Sequence, residues 1–283
     1  MNNDTREEQH NNLLSFAIAF VVVLVCVFFL SYSFNMKNLN INKTLNSSDL
    51  NKLAKEKFTS ISSKRDLATN ELIFFNENNI DINNISKENM LYIAYTLISK
   101  EDTLKTGEVL DDCFEENKDN YPEKCYLEVI DKNLLDEQIR NYFSSNISIS
   151  YNDFNISANQ TCYFKDNIYN CYLNRNNVTI NDYKIVNVYD SYEYEDNKLI
   201  VYSYLLTIRD NGNKLKEDGI YSDSKATNLI DNLDYYNNTL NKQISGDNAN
   251  KIVEHYKDQI SKYKTIFVKE NDNFVWLSTE KEK

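Results

Sequence analysis

Glycine, proline and histidine are scarce in this sequence of 283 residues, which has four Gly, one Pro (Pro122) and two His. So little Gly and Pro excludes collagen-like, glycine-linker and proline-rich classes, and it leaves Asn and Asp as the main turn-forming residues. Glycine-rich phosphate loops and the H-E-x-x-H zinc signature are also absent. The sequence therefore carries no signature of a nucleotide-binding or zinc enzyme.

The two histidines are His10 and His255. A nucleophilic triad needs a base, and a zinc site needs several closely spaced Cys or His ligands. His10 belongs to the N-terminal tail, and His255 falls at the edge of the apolar face of a helix predicted near the C-terminus. We expect His255 to be structural or solvent-exposed, and we predict no metal site, no cofactor and no enzymatic activity.

Positive charge is also in short supply, with 31 Lys and Arg against 43 Asp and Glu, for a net charge of −12. Nucleic-acid binding draws its affinity from Lys and Arg that neutralise phosphates, so this balance argues against a DNA or RNA partner. Aromatic residues make up 13% of the chain. Chains that cannot bury apolar surface are poor in aromatics, so most of this one is expected to fold.

One long apolar run, LLSFAIAFVVVLVCVFFL, extends from Leu13 to Leu30 and continues weakly to Phe34. It corresponds to about 27 Å of helix, close to a bilayer core of about 30 Å. A cleaved signal peptide is the alternative, because Ser31 and Ser33 are small. The run is longer than the usual apolar segment of such a peptide, and the preceding tail is acidic. We predict an uncleaved transmembrane signal anchor at residues 13–34.

Two cysteines stand nine positions apart in TCYFKDNIYNC, residues 161–171. A two-residue turn at Asp166-Asn167 would place Cys162 opposite Cys171 in an antiparallel hairpin. That pair is of the non-hydrogen-bonded kind, whose Cα atoms lie about 4.5 Å apart, within the range that a disulfide spans. Neither a C-x-x-C redox motif nor further nearby zinc ligands are present. We predict a structural disulfide.

A second cysteine pair, Cys113 and Cys125, brackets the polar segment FEENKDNYPEK. Four cysteines allow three connectivities, of which local pairing is the simplest. Two bridges indicate an oxidising compartment, so we place the tail, residues 1–12, in the cytoplasm and the large domain outside the membrane. The lysines that follow the span favour the opposite orientation. The alternative is a cytosolic domain with four reduced cysteines.

Helical periodicity dominates the first half of the chain. Apolar residues recur at helical spacing after Ser48, and Ser86 and Asp131 are in position to cap two further helices. We assign residues 35–85 to a juxtamembrane spacer and a stalk helix, and residues 86–283 to an α+β domain.

Strand periodicity dominates the second half. Ile147, Ile149 and Tyr151 alternate as a strand, and a long hairpin over residues 183–208 turns at Asp196-Asn197. We expect one face of this hairpin to carry the apolar residues Val186, Val188, Tyr192, Tyr194, Leu199, Val201 and Leu205. A further helix and a terminal hairpin, TIFVKENDNFVWL, end the chain. Helices followed by antiparallel strands predict an α+β fold in which helices are packed on a curved antiparallel β-meander.

The segments EKCYLEVIDKNLLDEQIRNYF and KYKTIFVKENDNFVWLSTEK resemble parts of uncharacterised single-span exported proteins of low-GC bacteria. The order of a short tail, one span, helices and a long meander also resembles bitopic proteins with a nuclear-transport-factor-like or cystatin-like domain. This resemblance covers most of residues 86–283 and implies a fold rather than a function.

Two functions remain open from the sequence. The first is a membrane-anchored binding or scaffolding module in the cell envelope, with an envelope protein as its partner. The second is an envelope hydrolase that uses paired carboxylates. Acidic clusters that could serve it are Asp111-Asp112, Glu115-Glu116, Glu193 and Glu195-Asp196. An open, aromatic-lined concavity would favour the first function, and two carboxylates converging in a closed pocket would favour the second.

Overall fold

The architecture is described here from a computed structural model that covers residues 46–105, 114–115, 126–174, 180–212, 217–240 and 246–282. The predicted tail, the predicted span at residues 13–34, and Cys113 and Cys125 lie outside these residues. Within the described ranges, no helix combines the length and the apolar character needed to cross a membrane.

The helices of the described residues include the two whose caps the sequence predicts. The α-helices span Ser47–Ser62 (α1), Lys87–Leu97 (α2), Lys132–Tyr142 (α3) and Gly246–Tyr256 (α4), and a π-helix spans Tyr235–Thr239. The Ser86 side chain accepts a hydrogen bond from the Asn89 amide at 3.1 Å, and Asp131 accepts one from the Asn133 amide at 2.8 Å. Both predicted N-caps are confirmed.

The strands form two sheets. Their bounds are Ile80–Asp81 (β1), Leu104–Lys105 (β2), Phe114–Glu115 (β3), Tyr126–Asp131 (β4), Phe154–Ser157 (β5), Gln160–Lys165 (β6), Ile168–Asn174 (β7), Lys184–Glu195 (β8), Lys198–Arg209 (β9), Gly219–Tyr221 (β10), Leu229–Asp231 (β11), Lys262–Glu270 (β12) and Asn273–Lys281 (β13). The large sheet has the order β1-β13-β12-β9-β10-β11, with β8 also paired to β9. The small sheet has the order β2-β4-β7-β6-β5, with β3 paired to β7.

The fold is α+β with antiparallel sheets, as predicted, and the one parallel pair among the described strands is β3 with β7. The prediction of a single curved meander is wrong. The hairpin β6–β7 pairs with β4, which comes from the first half of the chain, rather than with the long hairpin β8–β9. Strands of the second half are thereby divided between two sheets.

The cysteine hairpin follows the predicted register. Asp166 and Asn167 have φ values of 54° and 65°, and Cys162 pairs with Cys171. The two residues are disulfide-bonded with their Cα atoms 3.9 Å apart, and both are fully buried. The predicted bridge is confirmed for this pair.

A shared hydrophobic core, here called the first core, joins residues of both sheets and of α1, α2 and α3. Trp276 of β13 is fully buried in it. The Trp276 ring contacts Phe74 at 4.9 Å and Phe143 at 5.8 Å between centroids. Helix α3 contacts β4 of the small sheet and β13 of the large sheet. These contacts fix the two sheets to one another through the helices.

Helix α1 belongs to the domain rather than to a stalk. Its apolar face contributes Leu50, Ala54, Phe58 and Ile61 to the buried residues, and the compact unit runs from Ser48 to Lys283. The helix was predicted correctly. The domain boundary expected at residue 86 differs from the observed one because the same apolar face packs into the first core.

The long hairpin β8–β9 turns at Asp196 and Asn197, with φ values of 47° and 61°, so its predicted turn is confirmed. The prediction that the apolar residues of this hairpin share one face is wrong. The register shifts between Tyr189 and Ser191, so that Asp190 is an extra residue in β8. Such a bulge reverses the side on which the following side chains point.

The bulge divides the hairpin between two cores. Leu199, Val201 and Leu205 of β9 belong to the first core, together with Ile185 of β8. Val188 of β8 belongs instead to a second core, which lies between the other face of this sheet and α4. The hairpin is therefore buried on both faces near its base.

The strand predicted at Ile147, Ile149 and Tyr151 is also wrong, because the first strand of this region is β5. The three side chains are half-buried against the first core, which explains their alternation. Side chains rather than a strand ladder hold this segment. The Tyr151 hydroxyl donates to Asp136 at 2.8 Å, and its ring stacks on Phe164 at 4.7 Å.

We predict that replacing Cys162 and Cys171 together with alanine lowers the free energy of unfolding by about 2 to 4 kcal/mol, because the bridge restrains the unfolded chain. The buried single tryptophan, Trp276, reports unfolding by fluorescence. Non-reducing peptide mapping of the wild-type chain should recover the two cysteines joined. Unchanged stability would contradict the bridge, and complete unfolding would show that the core contributes less than this account requires.

Candidate functional site

An open cleft of about 480 Å³ lies beside the first turns of α2, against strand β5 and the loop at residues 66–68. Its lining residues are Asp66, Leu67, Ala68, Ser86, Glu88, Asn89, Tyr92, Asp153, Phe154, Asn155 and Thr161. Carboxylates, amides and two aromatic rings therefore share one concavity. The cleft is the candidate functional site.

The amphipathic character of α2 creates one wall. Met90, Leu91, Ile93 and Ala94 are buried in the first core. Residues three and four positions apart lie on one side of a helix, so Glu88, Asn89 and Tyr92 form a neighbouring, partly polar face. Tyr92 is half-buried, and this burial raises the pKa of its hydroxyl. The helix thus presents a carboxylate, an amide and a neutral phenol to the cleft.

Asp66, which lines the cleft, is held in place by hydrogen bonds. One carboxylate oxygen accepts hydrogen bonds from the amides of Ala68 at 3.0 Å and Thr69 at 2.9 Å, and the other accepts one from the Asn89 side chain at 3.1 Å. Burial alone would raise the pKa of Asp66, but these hydrogen bonds outweigh burial and lower it. Asp66 is therefore an anion at neutral pH, and it ties the loop to α2.

The opposite wall is also fixed by carboxylates. Glu88 accepts a hydrogen bond from the Asn152 side chain at 2.8 Å, which joins α2 to the segment before β5. Asp153 accepts one from the Phe164 amide at 3.1 Å. Phe154 is buried beneath this wall. The cleft is thus preformed by contacts among its own walls, as is usual for ligand sites.

The chemistry of the cleft is that of an acceptor-rich binding surface. The carboxylates of Asp66, Glu88 and Asp153 supply negative charge, and the Tyr92 ring can accept a cation over its face. The described residues hold no group of three or more His, Cys, Asp or Glu side chains suited to a metal ion. The arrangement therefore suits a cationic group that carries several hydrogen-bond donors.

Acid catalysis requires a carboxyl group that stays protonated near neutral pH, which means a raised pKa. Among the described carboxyl groups, every clear pKa shift is downward. In each case burial opposes the shift and hydrogen bonds outweigh it, as seen at Asp66, Glu77, Asp223 and Glu270. These groups serve as fixed anions rather than as proton donors.

The residues singled out in the sequence do not meet in this cleft. Cys162 and Cys171 lie in the first core, and Glu193 accepts a hydrogen bond from the Tyr202 hydroxyl at 3.1 Å. His255 is exposed, which is one of the two predicted alternatives, and its ring stacks on Tyr235 at 4.3 Å. Asp111, Asp112 and Glu116 lie outside the described residues.

Sequence reasoning missed the cleft itself. The Ser86 cap and the helical spacing after it indicate a polar face at Glu88, Asn89 and Tyr92, which is a usable signal. The other wall, at Asp153–Asn155, lies more than sixty positions away along the chain. No local pattern indicates that the two walls meet.

Comparison of the chain with protein-family models, with curated proteins and with solved structures finds no match. The resemblance to exported proteins of low-GC bacteria therefore stays a prediction. The function is therefore inferred from the geometry of the site.

We predict that Asp66→Asn lowers the free energy of unfolding at pH 7 by about 1 to 3 kcal/mol, because hydrogen bonds to a charged group are lost. The folded-state pKa of Asp66 is below its ordinary value of 3.8. The stability contributed by the wild-type carboxylate is then present above about pH 4 and is lost as the pH falls further. Urea unfolding of both chains from pH 7 to pH 3 checks this.

The difference in stability between the two chains should shrink as the pH falls below about 4. A difference that is constant across this range would contradict the ionised hydrogen-bonded state of Asp66.

Proposed function

We propose that this chain is a single-pass membrane protein whose extracytoplasmic domain binds a partner protein of the cell envelope through the cleft beside α2. The observation that carries the proposal is the form of that cleft. It is open, its walls are preformed, and it combines three carboxylates with the half-buried side chain of Tyr92.

The open form favours a macromolecular ligand over a metabolite. Sites for small molecules usually enclose most of the ligand surface, whereas the cleft lies at the surface and is lined by the exposed residues Glu88 and Asp153. An extended peptide segment can lie across such a cleft and insert one side chain. The acceptor-rich lining makes lysine or arginine the matching side chain.

Binding fits the chemistry better than hydrolysis does. A paired-acid hydrolase needs one raised and one lowered carboxyl pKa at the same site. The cleft offers Asp66 with a lowered pKa, and its carboxylates are engaged in holding the walls. We therefore propose a binding module and assign no catalytic residue.

The proposed location rests on two features. The apolar run at residues 13–34 has the length of a membrane span. The buried disulfide between Cys162 and Cys171 is of a kind that persists in oxidising compartments. Together they favour a domain held outside the membrane by an N-terminal anchor.

We predict that the full-length chain binds a nonapeptide of alternating lysine and valine, and that Glu88→Lys weakens this binding about tenfold or more, because it places a like charge in the cleft. Isothermal titration calorimetry in a nonionic detergent measures the affinity. Binding should weaken with added salt, since the charges of Glu88 and Asp153 are exposed.

Glu254→Lys is the matched control for this experiment. Glu254 is exposed on α4, and its replacement changes the net charge by the same amount as Glu88→Lys. Equal weakening by both variants would show that the peptide responds to overall charge only, and this result would contradict the cleft as the site.

We also predict that the C-terminus lies outside the cytoplasm. A reporter enzyme that is active only outside the membrane, fused after Lys283, should be active in cells, and the same reporter fused before Met1 should be inactive. The anchor and the bridge are the physical reasons. An active cytoplasmic reporter at Lys283 would overturn the proposed location without affecting the cleft.

A further inference from the structure

Unpaired polar side chains concentrate on one face of the hairpin β8–β9. Six buried side-chain polar atoms of the described residues have no hydrogen-bond partner, and five of them belong to this hairpin. They are the two amide atoms of Asn187, the hydroxyl oxygens of Ser203 and Thr207, and Nε of Arg209. Because native proteins pair nearly all of their buried polar groups, such a concentration needs a physical explanation.

The pairing of the strands places these side chains on one face. Ser203, Thr207 and Arg209 alternate along β9 with Leu206 and Ile208, which face the second core. Asn187 pairs directly with Leu205, which belongs to the first core. Directly paired residues point to the same face. The four polar side chains therefore form a row on the face that looks towards the first core.

The row is shielded from solvent. Ser203 is 1% exposed, Thr207 is 0% exposed and Arg209 is 2% exposed. Ser203 is flanked by Tyr189 and Tyr263 in the adjoining strands. The Tyr189 ring contacts Phe58 of α1, and the Tyr263 hydroxyl donates to the Asn76 carbonyl at 3.1 Å. Bulk water therefore does not satisfy these groups.

The side-chain polar atoms of the row do not hydrogen-bond one another, and the backbone spacing of the row suits a bridging molecule. Diagonal neighbours on paired strands lie about 7 to 8 Å apart, and residues two apart on one strand lie about 6.6 Å apart. Asn187 is the diagonal neighbour of both Ser203 and Thr207. Two hydrogen bonds through one small bridging atom span about 5.5 Å, which the side chains can reach.

The chemistry of the row identifies the bridging molecule. A hydroxyl both donates and accepts, an amide offers both kinds of group, and the Arg209 Nε–H donates. The charge of Arg209 is already matched by Asp182, whose carboxylate lies 3.4 Å from the guanidinium. The row therefore has no unmatched charge that would bind an ion. It suits a neutral molecule that donates and accepts hydrogen bonds at one centre, which is water.

We propose that the inner face of the hairpin binds a chain of buried water molecules. One water bridges Asn187 and Ser203, a second bridges Asn187 and Thr207, and a third bridges Thr207 and Arg209 Nε. These waters are a structural part of the domain, and they allow β8 and β9 to bury a polar row beneath α1 and the segment that follows it.

The sign of the stability change in a Thr207→Val variant tests this proposal. Valine has the shape of threonine without the hydroxyl. If the hydroxyl binds water, its removal leaves the water and Asn187 short of a partner, and the equilibrium constant for folding should fall about five- to tenfold. If the hydroxyl has no partner at all, its replacement by an apolar group should raise this constant, which would overturn the proposal.

Thr265→Val is the matched control. Thr265 is equally buried, and its hydroxyl has a known partner in Thr279 at 3.1 Å. Its loss should therefore lower the folding constant. Urea unfolding of the full-length chain, followed by the fluorescence of Trp276, compares the three proteins under one condition.

A crystal structure of the full-length chain at a resolution that shows ordered solvent gives a direct readout. Density for waters within hydrogen-bond distance of Asn187, Ser203 and Thr207 is expected, and the water beside residue 207 should be lost in the Thr207→Val variant. Side chains rearranged to bond one another, or a larger molecule in the row, would overturn the proposal.

Discussion

The structure depends on a single constraint, which is that the hairpin β8–β9 must be buried on both of its faces. A strand with a strict period of two can send its apolar side chains to only one face. The extra residue at Asp190 changes this for β8. Before the bulge the odd-numbered residues of β8 face the first core, and after the bulge the even-numbered residues do. The other face of the hairpin is then free to pack against α4.

This arrangement positions the candidate site. With α4 on one face of the large sheet, α3 contacts β13 of that sheet and β4 of the small sheet, and α2 packs against α3 and β5. Helix α2 is thus buried along one side and leaves Glu88, Asn89 and Tyr92 uncovered beside β5. The disulfide at Cys162 and Cys171 lies in the same first core and restrains the strands next to the cleft. A rigid support of this kind lowers the entropic cost of binding a partner.

Local features of the sequence predict the local features of the fold. Side-chain caps at Ser86 and Asp131 and two-residue turns at Asp166-Asn167 and Asp196-Asn197 depend on neighbours within a few positions, and the structure contains all of them. The pairing of Cys162 with Cys171 follows from the position of the turn at Asp166-Asn167, because each cysteine is the same number of residues away from it. The cleft depends on contacts between residues such as Asp66 and Asn89, or Glu88 and Asn152, and such contacts follow from tertiary packing.

Two errors share one cause. The apolar residues Ile147, Ile149 and Tyr151 alternate with polar ones because every second side chain packs against the first core. Such packing does not require the segment to pair with another strand. The bulge at Asp190 leaves no clear mark in the sequence, because Asp and Ser are acceptable at an exposed strand edge. In both places tertiary contacts decide an outcome that the periodicity of the sequence leaves open.

The central claim is that the preformed cleft beside α2 is the surface through which this domain binds a basic segment. Hydrogen–deuterium exchange of the full-length chain, with and without the lysine–valine nonapeptide, tests it most directly. The account predicts slower exchange at residues 66–70 and 152–155 and no change in α4. Slower exchange in α4 or elsewhere in the large sheet, together with unchanged exchange at the cleft, would contradict it.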